Sequence, residues 1–198
     1  MLAQDARLTP DEYLALEADS SIKHEYFDGS IVAMAGATDA YVTIALNLAT
    51  ELRSHLRNSG CRVYISDMKV RIDDRNRFFY PDLLITCDRH DINTTTYKRF
   101  PKLIIEVLSD STESFDRGQK FRDYQTLANL EEYVLIDSKT RRVEIFRRHT
   151  EGLWIYQSYG DGNSDGDRFQ LRSIDYTGTF RTLYEDVSFP DESSRGTE

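Results

Sequence analysis

The pattern of apolar and polar residues predicts a helix, a hairpin and a long helix in the first part of the chain. Thr9-Pro10-Asp11-Glu12 has the form of a helix start with a capping box, and the helix is expected to run through Leu16. Residues 23–34 predict two strands joined by the turn Asp28-Gly29. Apolar residues then recur at helical spacing over residues 39–57, which predicts a long amphipathic helix.

The rest of the chain is rich in strand patterns and contains one further helix. Three strands are predicted over residues 61–72, 80–87 and 103–108, and a helix over residues 116–128. A meander is predicted over residues 133–137, 142–146 and 153–159. The expected fold is therefore mixed α/β (α+β), with a mixed central β-sheet flanked by helices, an amino-terminal hairpin and a carboxy-terminal β-meander.

Length and composition predict one globular domain. The chain has 198 residues, of which 39% are apolar and 30% charged, so it can bury a substantial core. We expect a single domain over residues 1–188 and a polar flexible tail over residues 189–198. The chain has no apolar run long enough to cross a bilayer, and its first residues do not resemble a secretory signal, so a cytoplasmic protein is expected.

The formal net charge of −9 argues against nucleic-acid binding through a broad basic surface. Contacts to phosphate would depend on local basic clusters, although ordinary surface charge explains these clusters equally well. The clusters are Lys98-Arg99 with Lys102, Arg117 with Lys120 and Arg122, and Arg141-Arg142 with Arg147-Arg148.

The two cysteines, Cys61 and Cys87, lack the close spacing of a zinc site or a redox pair. Two thiols also do not make a disulfide framework. We therefore expect them to be buried and reduced.

Two strand segments each carry one carboxylate among apolar residues. Glu106 lies inside Leu103–Leu108 and shares a strand face with Ile104 and Leu108, and Asp82 follows Pro81 at the start of another strand. A buried carboxylate must be protonated, paired with a cation or bound to a metal. An ion-paired core glutamate and a turn aspartate are the structural alternatives. If the strands are adjacent, the two carboxylates could hold one Mg²⁺ ion.

The predicted helix that follows carries Asp116 and Lys120 four residues apart, with Tyr124 one turn further. A surface ion pair is the favoured interpretation for an isolated pair of this kind. The functional alternative places the Lys120 ammonium over the two carboxylates, where it could orient or deprotonate an attacking water.

Several separated motifs, in a fixed order, resemble the Uma-two family of bacterial endonucleases, a branch of the restriction-endonuclease-like PD-(D/E)XK superfamily. The resemblance covers most of the chain. Its motifs are His24-Glu25-Tyr26-Phe27-Asp28-Gly29, Ala35-Gly36-Ala37, residues 60–72, Pro81-Asp82, Ile105-Glu106-Val107-Leu108-Ser109, Thr112, Asp116-Arg117-Gly118-Gln119-Lys120, Tyr124 and Glu132-Tyr133-Val134-Leu135-Ile136-Asp137.

The resemblance implies that Asp82 and Glu106 bind the metal, with Mg²⁺ or Mn²⁺ as the cofactor. Position 108 is Leu, so Lys120 on the next helix would replace the lysine that the superfamily carries two residues after its acidic residue. Glu25 would be the additional amino-terminal acidic residue, with Glu51 as a weaker rival. The supporting residues at the site would be Asp116 and Tyr124.

Relatives in this family often have a histidine near the start of the long helix, where this chain has Tyr41. The leading hypothesis is a metal-dependent endonuclease that hydrolyses phosphodiester bonds in DNA. The alternative is an inactive protein of the same fold that binds nucleic acid or protein, which Tyr41 and the acidic balance mildly favour. A purely structural protein with ion-paired core acids is a third reading. The resemblance also implies a homodimer.

Overall fold

Within residues 7–34, 36–160 and 167–189, which the computed structural model describes, the chain forms two large β-sheets, a small two-stranded sheet and flanking helices. The helices are α1 (Pro10–Asp19), α2 (Asp39–His55), α3 (Arg89–Ile92), α4 (Glu113–Phe115), α5 (Phe121–Tyr124) and α6 (Phe180–Leu183). The strands are β1 (His24–Phe27), β2 (Ser30–Ala33), β3 (Arg62–Ile65), β4 (Lys69–Ile72), β5 (Arg77–Phe79), β6 (Leu83–Thr86), β7 (Tyr97–Lys98), β8 (Leu103–Leu108), β9 (Glu132–Asp137), β10 (Arg142–Arg148), β11 (Trp154–Gly160), β12 (Arg168–Leu171) and β13 (Tyr176–Thr179).

The central six-stranded sheet has the order β11-β10-β9-β8-β6-β3. Strands β8 and β9 are parallel, and the other neighbouring pairs are antiparallel. The predicted mixed sheet is therefore confirmed, as is the meander, which is formed by β9, β10 and β11. Every residue of β8 is buried, because both faces of this strand are covered. This explains why nearly all of its residues are apolar.

The predicted hairpin forms one edge of the second sheet, whose order is β2-β1-β5-β4-β7. Its turn residues Asp28 and Gly29 have φ values of 47° and 101°, as a two-residue hairpin turn of this kind requires. The capping box at the start of α1 is also confirmed. The side chain of Thr9 accepts a hydrogen bond from the Glu12 amide, while the Glu12 carboxylate accepts one from the Thr9 amide.

Helix α2 confirms the prediction over residues 39–57 and covers one face of the central sheet. Its buried side chains Ile44, Leu48 and Leu52 belong to a core that includes Leu83 of β6 and Val107 of β8. The opposite face of the sheet packs on the second sheet and on residues 113–130. That second core contains a set of side chains from both sheets and from the helical segment: Val70, Ile72, Phe79, Leu84, Ile104, Leu108, Tyr124, Leu127, Leu130, Tyr133 and Leu135.

Two predicted elements have different bounds in the structure. The strand predicted over residues 61–72 is two strands, β3 and β4, which belong to different sheets. The chain turns at Ser66, whose φ is 23° and whose amide donates to the Asp82 carbonyl over 3.0 Å. The helix predicted over residues 116–128 begins earlier, at Glu113, and ends at Tyr124. Strands β5, β7, β12 and β13 and helices α3 and α6 were not predicted.

The prediction of buried, reduced thiols is wrong, because Cys61 and Cys87 are only partly buried and form a disulfide with their Cα atoms 4.0 Å apart. In the antiparallel pair of β3 and β6, Arg62 faces Thr86, so the cysteines occupy the next facing positions. The 26-residue separation along the chain gave no sign of this pairing. The disulfide attaches the edge strand β3 to β6, the strand that Asp82 precedes.

Phe189, the first residue of the predicted tail, is buried against Tyr184. The remaining residues of the predicted tail, 190–198, lie outside the described part of the chain. Among the described helices, none combines the length and the apolar content that a membrane span requires.

Candidate active site

The structure brings Asp82 and Glu106 together at the end of two hydrogen-bonded strands. In the antiparallel register of β6 and β8, Leu83 faces Ile105. Asp82, which precedes Leu83, therefore lies opposite Glu106, which follows Ile105. The Asp82 amide donates to Glu106 Oε2 over 3.3 Å, and the Val107 amide donates to Asp82 Oδ2 over 2.7 Å. The two strands are adjacent, and each carboxylate accepts a backbone amide from the segment that carries or follows the other.

Lys120 lies over this pair and contacts three carboxylates. Its Nζ atom is 2.9 Å from Glu106 Oε1, 3.3 Å from Glu25 Oε1 and 3.4 Å from Asp116 Oδ1. It also lies 5.9 Å from the centre of the Phe79 ring. The surface ion pair considered for Asp116 and Lys120 is therefore wrong, since both side chains are buried.

A single turn of π-helix, Asp116–Lys120, places these two side chains. It is inserted between α4 and α5, and such turns are rare and frequently mark functional sites. Tyr124, at the end of α5, donates its hydroxyl to Glu106 Oε1 over 3.1 Å, and the Tyr133 hydroxyl donates to the Asp116 carbonyl over 3.0 Å. The helical segment is thereby attached to the sheet through the residues that surround the carboxylates.

Glu25 comes from the second sheet, on β1, and its Oε1 also lies 3.5 Å from the Tyr80 amide. A buried network continues behind it. The Tyr80 hydroxyl donates to Glu17 over 2.9 Å, and Glu17 also accepts the His24 amide over 2.8 Å. Nothing in the sequence pattern indicated that Glu17 and Tyr80 would support the strand carrying Glu25, because they are 63 residues apart.

Tyr41, considered in the sequence only as a departure from relatives, contacts the site directly. Its hydroxyl donates a hydrogen bond to Asp82 Oδ1. Tyr41 belongs to the first turn of α2. This helix covers the face of the central sheet that points away from the second sheet. The site therefore receives side chains from both sheets, from the π-helical turn and from α2.

The site is buried and contains more negative than positive charge. Asp82, Glu106, Asp116 and Lys120 are 4%, 2%, 2% and 5% exposed, whereas Glu25 and Tyr41 are half-buried. Three carboxylates contact the Lys120 ammonium and Asp82 lies beside Glu106, so this cluster of described residues holds four acidic groups and one basic group. Asp116 Oδ1 is buried and accepts no hydrogen bond from the described residues, but the Lys120 ammonium lies 3.4 Å from it.

Burial and crowding of charge shift the pKa values in this cluster. Burial raises the pKa of Asp82 to about 7, against the opposing effects of Lys120 and the Val107 amide. Burial also raises the pKa of Glu106 well above its ordinary value, and the charge of Asp82 adds to this effect. Burial acts to lower the pKa of Lys120, but the charges of Glu106, Glu25 and Asp116 outweigh it and hold this pKa well above its ordinary value. The cluster as it stands is poor in cations.

The oxygen-rich composition of this cluster fits a hard divalent cation. Within residues 7–34, 36–160 and 167–189, no group of three or more His, Cys, Asp or Glu side chains is arranged to hold a metal ion. Mg²⁺ needs only one or two carboxylates, because water and phosphate complete its coordination. Asp82 and Glu106 meet that requirement, and the excess of acidic over basic groups in the cluster favours an added cation.

The rival acidic residue and most of the basic clusters lie outside this site. Glu51 is exposed on α2, away from the cluster. Most members of the basic clusters have acidic or carbonyl partners within the protein. These contacts are Lys98 with the Asp91 and Thr94 carbonyls, Arg99 with Asp73, Lys102 with Glu131, Arg117 with Glu113 and Glu144, Arg142 with Asp137, Arg147 with Glu132, and Arg148 with the Gln125, Leu127 and Leu130 carbonyls.

Comparisons with known proteins match the chain over most of its length. The sequence model of the Uma2 family, described as "Putative restriction endonuclease", matches residues 10–175. The uncharacterized protein slr1290 of Synechocystis is 35% identical over 183 residues, which is 92% of this chain and 94% of that protein. A second Synechocystis protein, the uncharacterized sll1609, is 33% identical over 150 residues, which is 75% of this chain and 85% of that protein.

A solved structure has the same fold. It is described as "a putative nuclease belonging to DUF820" from Anabaena variabilis, and it superposes with a TM-score of 0.71 at 14% identity, covering 89% of this chain and 97% of that one. The similarity extends over nearly the whole of both chains. It agrees with the restriction-endonuclease-like arrangement of a mixed sheet flanked by helices.

Proposed function

Because the chain belongs to the Uma2 family, described as "Putative restriction endonuclease", we propose that it is a metal-dependent nuclease that hydrolyses phosphodiester bonds in DNA, with Mg²⁺ or Mn²⁺ as its cofactor. The observation that carries this proposal is the cluster in which Glu25, Glu106 and Asp116 contact the Lys120 ammonium while the buried Asp82 lies beside Glu106. Buried carboxylates in excess of their cations are costly to maintain for structure alone.

In this proposal Asp82 and Glu106 hold the cation, which when bound polarises a phosphate oxygen and lowers the pKa of a bound water. The chain itself contributes fixed charge and orientation. The Val107 amide holds Asp82 through Oδ2, and Tyr124 holds Glu106 through Oε1, so neither carboxylate needs to reorganise during the reaction.

Lys120 supplies positive charge and hydrogen-bond donors at the point where a phosphate would lie against the carboxylates. Its contact with Glu106 at 2.9 Å keeps the ammonium beside the proposed metal position. Asp116 and Glu25 fix the ammonium from two further sides. Of the two roles considered for this lysine, the arrangement favours orientation of water and phosphate over proton transfer, because three carboxylates stabilise the protonated form.

Cleavage of supercoiled plasmid, linear duplex, single-stranded DNA and RNA, each with Mg²⁺ and with Mn²⁺, tests the proposal. We expect cation-dependent nicking of DNA by the wild type. Asp82→Asn, Glu106→Gln and Lys120→Ala should each reduce the rate by about 10²-fold or more, because each removes a preorganised charged group. Glu51→Gln is the matched control, since this carboxylate is exposed and lies outside the cluster. Wild-type rates in Asp82→Asn and Glu106→Gln would refute the assigned site.

A second candidate function is a nuclease-fold protein that binds nucleic acid or protein without cleavage. The net charge of −9 and the burial of the carboxylates favour it. Binding of DNA by the wild type with no cleavage under any of the cation conditions would support it over the first candidate. The homodimer and the cytoplasmic location stay predictions of the sequence.

A further inference from the structure

We propose that Tyr41 is a gate for the cation: its hydroxyl donates a hydrogen bond to Asp82 Oδ1 and must leave this oxygen before a divalent ion binds there. This inference rests on the proposed function, because it concerns access to the same site. The observation that carries it is the hydrogen bond from the Tyr41 hydroxyl to Asp82 Oδ1.

Each oxygen of Asp82 already accepts one hydrogen bond, and only one of the two donors is a side chain that can move away. Oδ2 accepts the Val107 amide over 2.7 Å, and this amide belongs to β8 in the middle of the central sheet. It cannot move without breaking the strand. Oδ1 accepts the hydroxyl of Tyr41, a side-chain partner. A cation that approaches Oδ1 from the side of the Tyr41 hydroxyl therefore has to displace this hydroxyl.

The other partners of the carboxylates are fixed by burial. Lys120 and Tyr124, which contact Glu106 Oε1, are 5% and 0% exposed. Tyr41 and Glu25 are the half-buried members of the cluster, so they lie on its most accessible side. An ion or a phosphate approaching the carboxylates would reach this side first.

The position of Tyr41 permits its side chain to move while its helix stays in place. Tyr41 lies in the first turn of α2, where its amide donates to the capping side chain of Thr38 over 3.4 Å. The helix is anchored further along by Ile44, Leu48 and Leu52, which are buried in the core. A change of the Tyr41 side-chain rotamer would release Asp82 without unfolding α2.

Removal of the hydroxyl should therefore strengthen cation binding. A hydrogen bond to a carboxylate competes with the cation, and the Tyr41→Phe substitution removes this competition while keeping the ring. We expect Tyr41→Phe to bind Mn²⁺ about tenfold more tightly than the wild type. The control is Tyr64→Phe, because Tyr64 is a half-buried tyrosine of β3 whose ring lies against Lys98, away from the carboxylates.

Calorimetric titration of Mn²⁺ into the wild type, Tyr41→Phe, Tyr64→Phe and Asp82→Asn tests the gate. Tighter binding by Tyr41→Phe, with Tyr64→Phe equal to the wild type and no binding by Asp82→Asn, would support it. Binding detected in Tyr41→Phe alone would also support it. Circular dichroism and urea unfolding of each variant establish that the compared proteins are folded.

Two results would overturn the gate, and they separate it from the proposed function. If the wild type binds Mn²⁺ through Asp82 but Tyr41→Phe binds equally or more weakly, Tyr41 supports the bound ion and is no gate, while the metal-dependent function stands. If neither the wild type nor Tyr41→Phe binds Mn²⁺, the gate and the metal-dependent function both fail.

Discussion

Glu132 and Glu106 are buried carboxylates on neighbouring parallel strands, yet their surroundings are opposite. Each is 2% exposed. Glu132 has a cation of its own, because Arg147 Nε donates to it over 2.7 Å. It also accepts the Ser173 hydroxyl over 2.6 Å and the amides of Ser173 and Arg172 over 2.9 and 3.1 Å. Its charge is fully compensated inside the protein.

Glu106 has to share its cation. Lys120 contacts Glu106, Glu25 and Asp116 at once, and Asp82 lies beside them. Burial raises the pKa of Glu106, and the charges of Asp82 and Asp116 add to this effect. The single Lys120 ammonium offsets it only in part. The comparison indicates that a buried carboxylate with a complete set of donors is structural. One whose set is incomplete can still accept a ligand.

The largest predicted effect concerns the compensated cluster. Glu132→Gln should destabilise the protein by about 3–5 kcal/mol, because it leaves Arg147 buried without its counter-charge. Urea unfolding at pH 7 measures this free energy. The exposed Glu51→Gln serves as a control and should change it by less than about 0.5 kcal/mol. A loss under about 1 kcal/mol for Glu132→Gln would show that this cluster is not the stabilising one.

The second prediction concerns pH and applies to the cation-poor cluster. The pKa of Asp82 is about 7 in the folded protein and about 3.9 in an unfolded chain. Between these values the folded protein holds a proton that the unfolded chain has released. Stability should therefore fall as pH rises from about 5 to 7, by at most about 1.4 kcal/mol per pH unit for this group. Urea unfolding in chelator across pH 5–8 measures the slope, and a stability that rises over this window would contradict the prediction.

The third prediction is a stabilising substitution at the proposed metal position. Asp82→Asn should raise the stability of the ion-free protein at pH 8 by about 1–2 kcal/mol, because it removes one of the four crowded charges. An asparagine can still accept the Val107 amide and donate to Tyr41. It should also flatten the pH dependence between pH 5 and 7. Urea unfolding in chelator at pH 8 measures the change, and a loss of stability there would indicate that the Asp82 charge is compensated like that of Glu132.

Part of this contrast could be predicted from the sequence. The run Leu103–Leu108 marked Glu106 as buried, and strand alternation placed it on the same face as Ile104 and Leu108. Both of these residues belong to the second core, and Tyr124 of that core donates to Glu106. Asp82 and Lys120 were also identified. For Glu106 the local pattern indicated burial, whereas for Lys120 the spacing alone favoured a surface ion pair and the family resemblance supplied its place at the site.

The partners of the carboxylates could not be predicted, because they come from distant parts of the chain. Glu132 begins a similar apolar strand, but its partners Arg147 and Ser173 are 15 and 41 residues away. Tyr41 is likewise 41 residues from Asp82. The cysteine pairing was missed for the same reason. These contacts depend on strand register and on how the helices pack, neither of which a local pattern encodes.

The smallest predicted effect shows whether burial, and not pairing as such, underlies the comparison. Lys102 and Glu131 form an ion pair of 2.7 Å next to Glu132 in the sequence, but their side chains are 30% and 51% exposed. Solvent screens such a pair, so Lys102→Ala should change the free energy of unfolding by less than about 0.5 kcal/mol. The same urea experiment measures it, with 0.5 M NaCl as a second condition that should remove most of the remaining difference. A loss above about 1.5 kcal/mol would mean that exposed and buried pairs at this strand end stabilise alike, and the contrast between Glu132 and Glu106 would then need a cause other than burial.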